Sequence, residues 1–511
     1  MNLIVSPIQL LNEYAQSVKG NGEGANFAES LAYVINKTGQ IPLANEILGI
    51  IGTVSSEKNE SRTKNSSNTS PKLKSLYVKG IRKFEDNNRF YRLDFTDKDA
   101  NPVSCVYVGR NGVGKTSLYN AMEMVLLGKV KSIDHVDMDI AEQMSYMHNV
   151  FAKDPESGMA VIDTDGNGKE SQLVYRIKGK CNRFYFPPAC FCSGLDVEML
   201  VQNGIPKDYI ADQLGLSEVK TLVENLSRAY GIFQDVKAQS TGLFETLTTY
   251  DLKLKGNLPS EELNLESKYN NCKEEIFILR KKFPVLERSD EEISDFIKCK
   301  DFVDDYYKRT LHRLASRAKV IIDYLVSEFM GDDIEKTEIQ HIEPYSLSLK
   351  ITPRNTSSKG IPSKRQVSAV YYLNHFRQKL FYVAFKAALF MFAREEYGID
   401  YPFIVDDIFD SSDFENRDKA RDFMFRLHSR DVSKEPGSSL LGPVQVILFT
   451  HDDVIAEESY KGMVMSGVDA KFSRIFDYKL IGPEDYKRSY KVLTVKDDNS
   501  TFQTVKIEDE L

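Results

Sequence analysis

No run of 18 or more apolar residues occurs in the 511-residue chain, so no helical membrane span is expected. The opening Met1-Asn-Leu-Ile-Val-Ser-Pro7 has neither a basic start nor the apolar core of a secretory leader, and a cytoplasmic location is expected. The six cysteines are scattered, only Cys190 and Cys192 lie close together, and no C-x-x-C pair exists. A zinc site and a disulfide framework are therefore not suggested. No HNH pattern and no convincing acidic nuclease constellation is present. Asp137-Met-Asp139 stands in a polar stretch and reads as solvated surface. The net charge of −8 excludes a surface that binds polyanions everywhere, but it leaves room for a local basic face.

What the chain does have begins at Gly109, Arg110, Asn111, Gly112, Val113, Gly114, Lys115 and Thr116. This run fits the P-loop pattern G-x-x-x-x-G-K-[ST] at every fixed position. A buried strand, Val103 to Val108, is predicted before it and a helix, Ser117 to Leu127, after it. That strand–loop–helix context separates a P-loop from a chance glycine-rich turn. The glycines let backbone N–H groups close around phosphate oxygens, and the helix N-terminus adds its dipole. Lys115 would neutralise the β- and γ-phosphates of ATP, and Thr116 would offer its hydroxyl to Mg²⁺.

Two further apolar strands end in chemistry. Phe403-Ile-Val-Asp-Asp407 is a Walker-B pattern. Asp406 would hold Mg²⁺, usually through water, and Asp407 sits where a general base would polarise the attacking water. Val444 to His451 ends in a histidine able to hydrogen-bond a γ-phosphate and sense its loss.

Composition divides the chain. Residues 1–55 read as an N-terminal helical module, with Ile8, Leu11 and Tyr14, then Phe27, Leu31 and Val34, at helical spacing. A docking unit fits them better than a tether, because ordering a helix without a packing partner is costly. Residues 56–72 form a polar, flexible linker. A nucleotide-binding lobe spans 73–215, a helical insertion 216–335 and a second lobe 336–511. In the insertion, Leu265, Tyr269, Cys272, Ile276, Leu279 and Phe283 make one heptad seam. Val303, Tyr307, Leu311, Leu314, Ala318, Ile321 and Leu325 make another. Two or three antiparallel helices of modest length would satisfy both seams. The turn Asp163-Thr-Asp-Gly-Asn-Gly168 imitates a calcium loop, but its twelfth position is Val174. A β-hairpin turn is the better reading.

The ordered set of P-loop, carboxylate pair and histidine resembles the ATP-binding-cassette ATPases of the SMC/RecF/RecN type, over roughly residues 73–215 and 336–480. Lys74-Ser-Leu-Tyr-Val-Lys-Gly-Ile-Arg-Lys-Phe84 looks like that family's first strand and basic-aromatic turn, and Asn111 fits its P-loop. The resemblance implies a fold class: an α/β, split P-loop ABC-type ATPase head, interrupted by a short coiled-coil-like insertion and preceded by a helical appendage. It also implies a D-loop at Asp410-Ser-Ser-Asp413, with Asp413 at the nucleotide, a switch role for His451, and Ser117 beside the P-loop phosphates. The usual Leu-Ser-Gly-Gly-Gln signature is missing. Leu373-Asn-His-Phe-Arg377 stands in its place, with Asn374 as a helix N-cap and Arg377 as a charge-assisted contact. In the family that contact is to ATP held by a second subunit, so an ATP-sandwiched homodimer is implied. The Q-loop glutamine is also not evident, and Ser193 is a candidate substitute. Asp407 replaces the common glutamate and is one methylene shorter, which suggests slow turnover.

The Val-Asp-Asp end, the leucine–asparagine signature and the short insertion look, less specifically, like bacterial antiphage-defence ATPases of the Septu and retron-associated kind. Those imply a separate nuclease or toxin effector. A DNA-repair ATPase acting on ends or gaps, and a barely hydrolysing nucleotide-gated scaffold, are the alternatives. A nucleic acid stays among the candidate partners, and a membrane does not.

Overall fold

The computed structural model describes residues 6–20, 25–53, 72–82, 84, 91–130, 146–149, 158–166, 171–177, 186–206, 208–258, 264–326, 334–342, 346–353, 367–368, 373, 375–397, 400–409, 417–429, 444–477, 490–495 and 502–505. They fall into two compact units. One takes the described residues of Asn65–Gly215 and His312–Leu511, and the other those of Ile4–Lys64 and Leu216–Leu311.

The strands of the first unit, in chain order, are β1 (Leu73–Lys79), β2 (Tyr91–Asp94), β3 (Ser104–Val108), β4 (Met159–Thr164), β5 (Gln172–Arg176), β6 (Phe191–Ser193), β7 (Ile334–Ile342), β8 (Ser346–Pro353), β9 (Val367–Ser368), β10 (Phe403–Asp406), β11 (Val446–Thr450), β12 (Ala470–Asp477), β13 (Tyr490–Val495) and β14 (Phe502–Val505). A seven-stranded sheet has the order β14-β13-β12-β3-β11-β10-β6. From β12 to β6 its strands run parallel, and β13 and β14 are antiparallel additions. Every residue of β3, β10 and β11 is buried, as expected of parallel strands covered on both faces. An antiparallel sheet β2-β1-β4-β5 and a smaller sheet β7-β8-β9 complete the unit.

Gln445 ties two of these sheets together. Its carboxamide accepts from the Leu73 N–H (2.9 Å) and donates to the carbonyls of Leu73 (2.8 Å) and Val103 (3.1 Å). One buried side chain thus supplies the pairing that a missing strand residue would. The predicted calcium-like turn is the β4–β5 connection. Asp163 accepts from Ser75 and Gln172, and Asp165 from the Lys72 N–H. These carboxylates are committed to protein donors, as a hairpin turn requires.

The helices are α1 (Pro7–Gly20), α2 (Asn26–Thr38), α3 (Ala44–Ile50), α4 (Lys115–Leu126), α5 (Gly194–Asn203), α6 (Tyr209–Gln213), α7 (Ser217–Leu254), α8 (Leu265–Lys282), α9 (Asp290–Val326), α10 (His375–Tyr397), α11 (Lys419–Ser429) and α12 (Asp453–Met465). None among the described residues is long and apolar enough to cross a membrane.

In the second unit α7 and α8 fold back on each other, and the Cys272 thiol donates to the Leu243 carbonyl. Cys272, Ile276 and Leu279 are buried, as are Val303, Tyr307 and Leu311 of the other seam; its remaining members, Leu314, Ala318, Ile321 and Leu325, are buried in the part of α9 that belongs to the first unit. The helices α7 and α9 run for 38 and 37 residues, longer than the modest lengths expected. No proline falls inside either, and a continuous apolar seam outweighs the two interior glycines of α7, Gly231 and Gly242. The apolar faces of the N-terminal helices are taken up by this same unit. Tyr14 packs on Phe302 and Phe27 on Phe296, with ring centroids 5.2 and 5.1 Å apart. The Phe27 N–H donates to Asp295, and Asn225 donates to the Pro42 carbonyl.

A buried histidine gives the first unit an acid-labile point. His428 donates from Nδ1 to the Met424 carbonyl (2.8 Å), and its Nε2 lies 3.2 Å from Ser104 Oγ. Burial lowers its pKa from 6.5 to about 4, with the nearby Arg394 charge adding to the effect. The native state therefore binds fewer protons than the unfolded state between those values. Stability is full above pH 6.5 and falls as pH drops toward 4, by roughly 3 kcal/mol from this group. Urea midpoints at pH 7 and pH 5 should differ less in His428→Gln than in the wild type, and equal differences would refute the assignment.

Candidate nucleotide-binding site

Parallel strands end at the same edge of their sheet, and here that edge collects residues far apart in sequence. The P-loop follows β3, His451 follows β11, Asp406 ends β10 with Asp407 next, and Ser193 ends β6. In space the order is β3, β11, β10, β6.

The P-loop is shaped by its glycines. Gly112 and Gly114 have φ of 85° and 106°, which side-chain-bearing residues rarely adopt. A Cβ on Gly109 would lie 2.8 Å from the Ile475 carbonyl. The Gly109 N–H donates to the Thr450 carbonyl (3.1 Å), which ties the start of the loop to the strand carrying His451. Arg110, Asn111 and Gly112 form an exposed crest, whereas Val113 and Ser117 are buried. Gly114 caps α4, so the first turn of that helix presents its N–H groups beneath the loop. Lys115 folds back over the loop and donates to the carbonyls of Gly109 (2.7 Å) and Arg110 (3.3 Å). Burial lowers the pKa of its ammonium, and the charges of Asp407 and Asp406 oppose that shift.

Thr116 Oγ1 donates to Asp406 Oδ2 at 3.1 Å, joining residues 290 positions apart. Burial raises the Asp406 carboxyl to about 7. The neighbouring Asp407 charge adds to this, while Thr116, Lys115 and Arg82 oppose it. Its other oxygen, Oδ1, is buried without a hydrogen-bond partner. A carboxylate that is destabilised, unsatisfied and beside a threonine hydroxyl suits a hard divalent cation, whose charge would offset the burial cost. Thr116 and Asp406 would hold Mg²⁺.

Asp407 and His451 form a pair. Asp407 Oδ1 accepts from the backbone N–H of His451 and from its ring Nδ1, both at 3.0 Å. This fixes the proton on Nδ1 and leaves Nε2 for a ligand. Asp407 has φ of 49°, a left-handed conformation that Asp tolerates better than most side chains.

Of the remaining predicted residues, Arg377 lies half-buried in the first turn of α10. Asn374 and Asp413 lie outside the described residues. Ser193 stands opposite Asp406 in the β6–β10 register, and its hydroxyl accepts from the Asp196 N–H as the N-cap of α5.

Arg82 is a site neighbour that sequence reasoning did not single out. Its guanidinium stacks 4.5 Å from the Tyr146 ring centroid and bonds Asn120, which in turn donates to Glu123 (3.0 Å). Arg82 also has a positive φ, 47°. Its place within the basic-aromatic turn was the available signal.

No protein-family model and no curated protein matches the chain. Solved structures do. The SMC head domain of Pyrococcus furiosus, with an extended coiled coil and bound to the C-terminal domain of ScpA, has a TM-score of 0.45 at 14% identity. The match covers 83% of this chain and 96% of that one. For the SMC head domain of Thermotoga maritima the values are 0.34, 12%, 80% and 96%. For ATP-bound RecF, the recombination mediator of the RecFOR pathway, they are 0.36, 14%, 80% and 98%. It is to these SMC heads and to RecF that this α/β head with its helical insertion is similar.

Proposed function

We propose that the chain is an ATP-binding and ATP-hydrolysing head that dimerises around ATP and times the action of a separate nuclease or toxin in antiphage defence. The observation that carries the ATPase part is the Thr116–Asp406 hydrogen bond, with Lys115 on one side and the Asp407–His451 pair on the other. In this reading residues 73–215 and 336–511 are the two lobes of the head, 216–335 the insertion, 56–72 a linker and 1–55 an appendage, and the protein works in the cytoplasm.

Bound Mg²⁺–ATP supplies the phosphoryl group and a cation that neutralises its charge. The chain's own parts have distinct tasks. Loop N–H groups beyond Gly109, up to Ser117, and the Lys115 ammonium bind phosphate oxygens. Asp407 accepts a proton from water, and His451 orients Asp407 through Nδ1. Across the dimer, the first turn of α10, with Asn374 and Arg377, and the D-loop residue Asp413 would face the nucleotide of the partner subunit. The absent nuclease pattern supports a separate effector, and the short Asp407 supports slow turnover.

Steady-state ATPase assays with and without duplex DNA test this, with Lys115→Ala as control. The expected result is slow, Lys115-dependent turnover indifferent to DNA. Stimulation by DNA would replace the effector reading with a DNA-repair ATPase. Tight ATP binding without turnover would replace it with a nucleotide-gated scaffold.

A further inference from the structure

The geometry points to Gly194 as a positioning residue for Asp407, acting through steric contact with the Asp407 backbone. The inference rests on the reading of Asp407 as the water-polarising carboxylate.

Gly194 opens α5, immediately after Ser193. Ser193 pairs with Asp406 in the sheet, so Gly194 faces the point where the β10 chain leaves it. A Cβ placed on Gly194 would lie 2.4 Å from the Asp407 carbonyl oxygen, 3.2 Å from its carbonyl carbon and 3.7 Å from the Asp406 carbonyl oxygen. Gly194 does not have a positive φ, so alanine suits its backbone conformation, and space alone demands glycine here. The obstructing atoms are main chain, which cannot swing aside as a side-chain end could.

Neither partner has room to retreat. On one side, the Asp407 N–H donates to the Phe449 carbonyl (2.9 Å), and its carboxylate is held by His451. On the other, α5 is anchored to α10 by buried charge. Asp196 Oδ2 lies 2.7 Å from Lys386 Nζ and accepts from the Tyr209 hydroxyl (3.0 Å). Lys386 is only 1% exposed and also donates to Gln213 (2.6 Å). Two residues on, Glu198 pairs with Lys379 of α10 at 2.8 Å. A methyl group at position 194 would therefore push the Asp407–Ile408 peptide, and with it the Asp407 backbone, by roughly half an ångström or more. A misplacement of about 1 Å costs about 10²-fold in rate, because the base must stay within hydrogen-bond reach of the water.

The test is steady-state kinetics of Gly194→Ala in the full chain. Gly231→Ala carries the same chemical change at a helical glycine with open space around it and serves as control. Gly194→Ala should keep KM for ATP within about twofold and lose kcat about tenfold or more. It should add no further loss to Asp407→Asn, because both act through one carboxylate. Gly231→Ala should keep kcat. If Gly194→Ala does not fold, Asp196→Asn weakens the α5 anchor without adding a methyl, and should lower kcat at constant KM. Wild-type kcat in Gly194→Ala, or in Asp196→Asn where that replaces it, would overturn the inference. So would a Gly194→Ala loss that multiplies onto Asp407→Asn. Failure of the ATPase reading would be seen separately, as wild-type protein without Lys115-dependent turnover.

Discussion

Lys115→Ala should bind ATP far more weakly and lose turnover by about 10²-fold or more, the scale expected when one preorganised electrostatic donor is removed from a phosphate site. The native lysine is held within the site by opposing effects on its charge. Its ammonium is almost fully buried, and it is held by two loop carbonyls while facing the charges of Asp406 and Asp407. Burial works against the charge and the carboxylates work for it. A triphosphate arriving at the loop would bring stronger acceptors into the same space. Removing the ammonium leaves in place the glycines, Gly112 and Gly114, whose positive φ angles shape the loop. The variant should therefore fold, with an unchanged thermal midpoint. Titration with a fluorescent ATP analogue and a phosphate-release assay check both halves. Wild-type affinity in Lys115→Ala would remove the P-loop from the mechanism. Lys115→Arg should rescue little, since a planar guanidinium does not fit between the Gly109 and Arg110 carbonyls as a point charge does.

How much of this could be read in advance follows from the range of the interactions. The P-loop, the Walker-B strand and the strand before His451 were legible because each is a local pattern: an apolar run ending in a required residue type. β3, β10 and β11 appear within two residues of expectation, since strands buried on both faces leave continuous apolar text. β6 was not legible. Three residues, Phe191–Ser193, carry no periodicity, and their pairing with β10 is decided by a partner over 200 residues away. β12 was missed because Lys471, Ser473 and Arg474 interrupt its apolar residues. The long helices were foreseen in kind but not in length. Heptad seams announce packing, and only the absence of breakers sets where it stops. Arg82 and Gly194 lie at the far limit of sequence reading. Their importance comes from what stands across from them, namely Asn120 for one and the Asp407 carbonyl for the other.

Asp407→Asn should lower kcat by about 10²- to 10⁴-fold, the usual contribution of a positioned general base, while ATP binding stays near wild type. Asparagine is the informative substitution for three reasons found in the structure. It tolerates the left-handed φ of 49° as well as aspartate does, so the β10 exit keeps its course. Its side-chain oxygen still accepts from the His451 backbone and Nδ1, so the histidine stays oriented. Its amide lacks the charge and basicity needed to take a proton from water. A loss of rate then reports on chemistry and not on geometry. The same substitution separates binding from turnover in the proposed cycle. If ATP closes two copies around itself and hydrolysis releases them, Asp407→Asn should accumulate as a dimer when ATP is added and remain a monomer without it. Light scattering coupled to gel filtration reads that directly. A variant that turns over ATP at the wild-type rate would show that Asp407 is not the base. A variant that is slow but stays monomeric with ATP would keep the base and discard the sandwich, leaving a head that hydrolyses ATP alone.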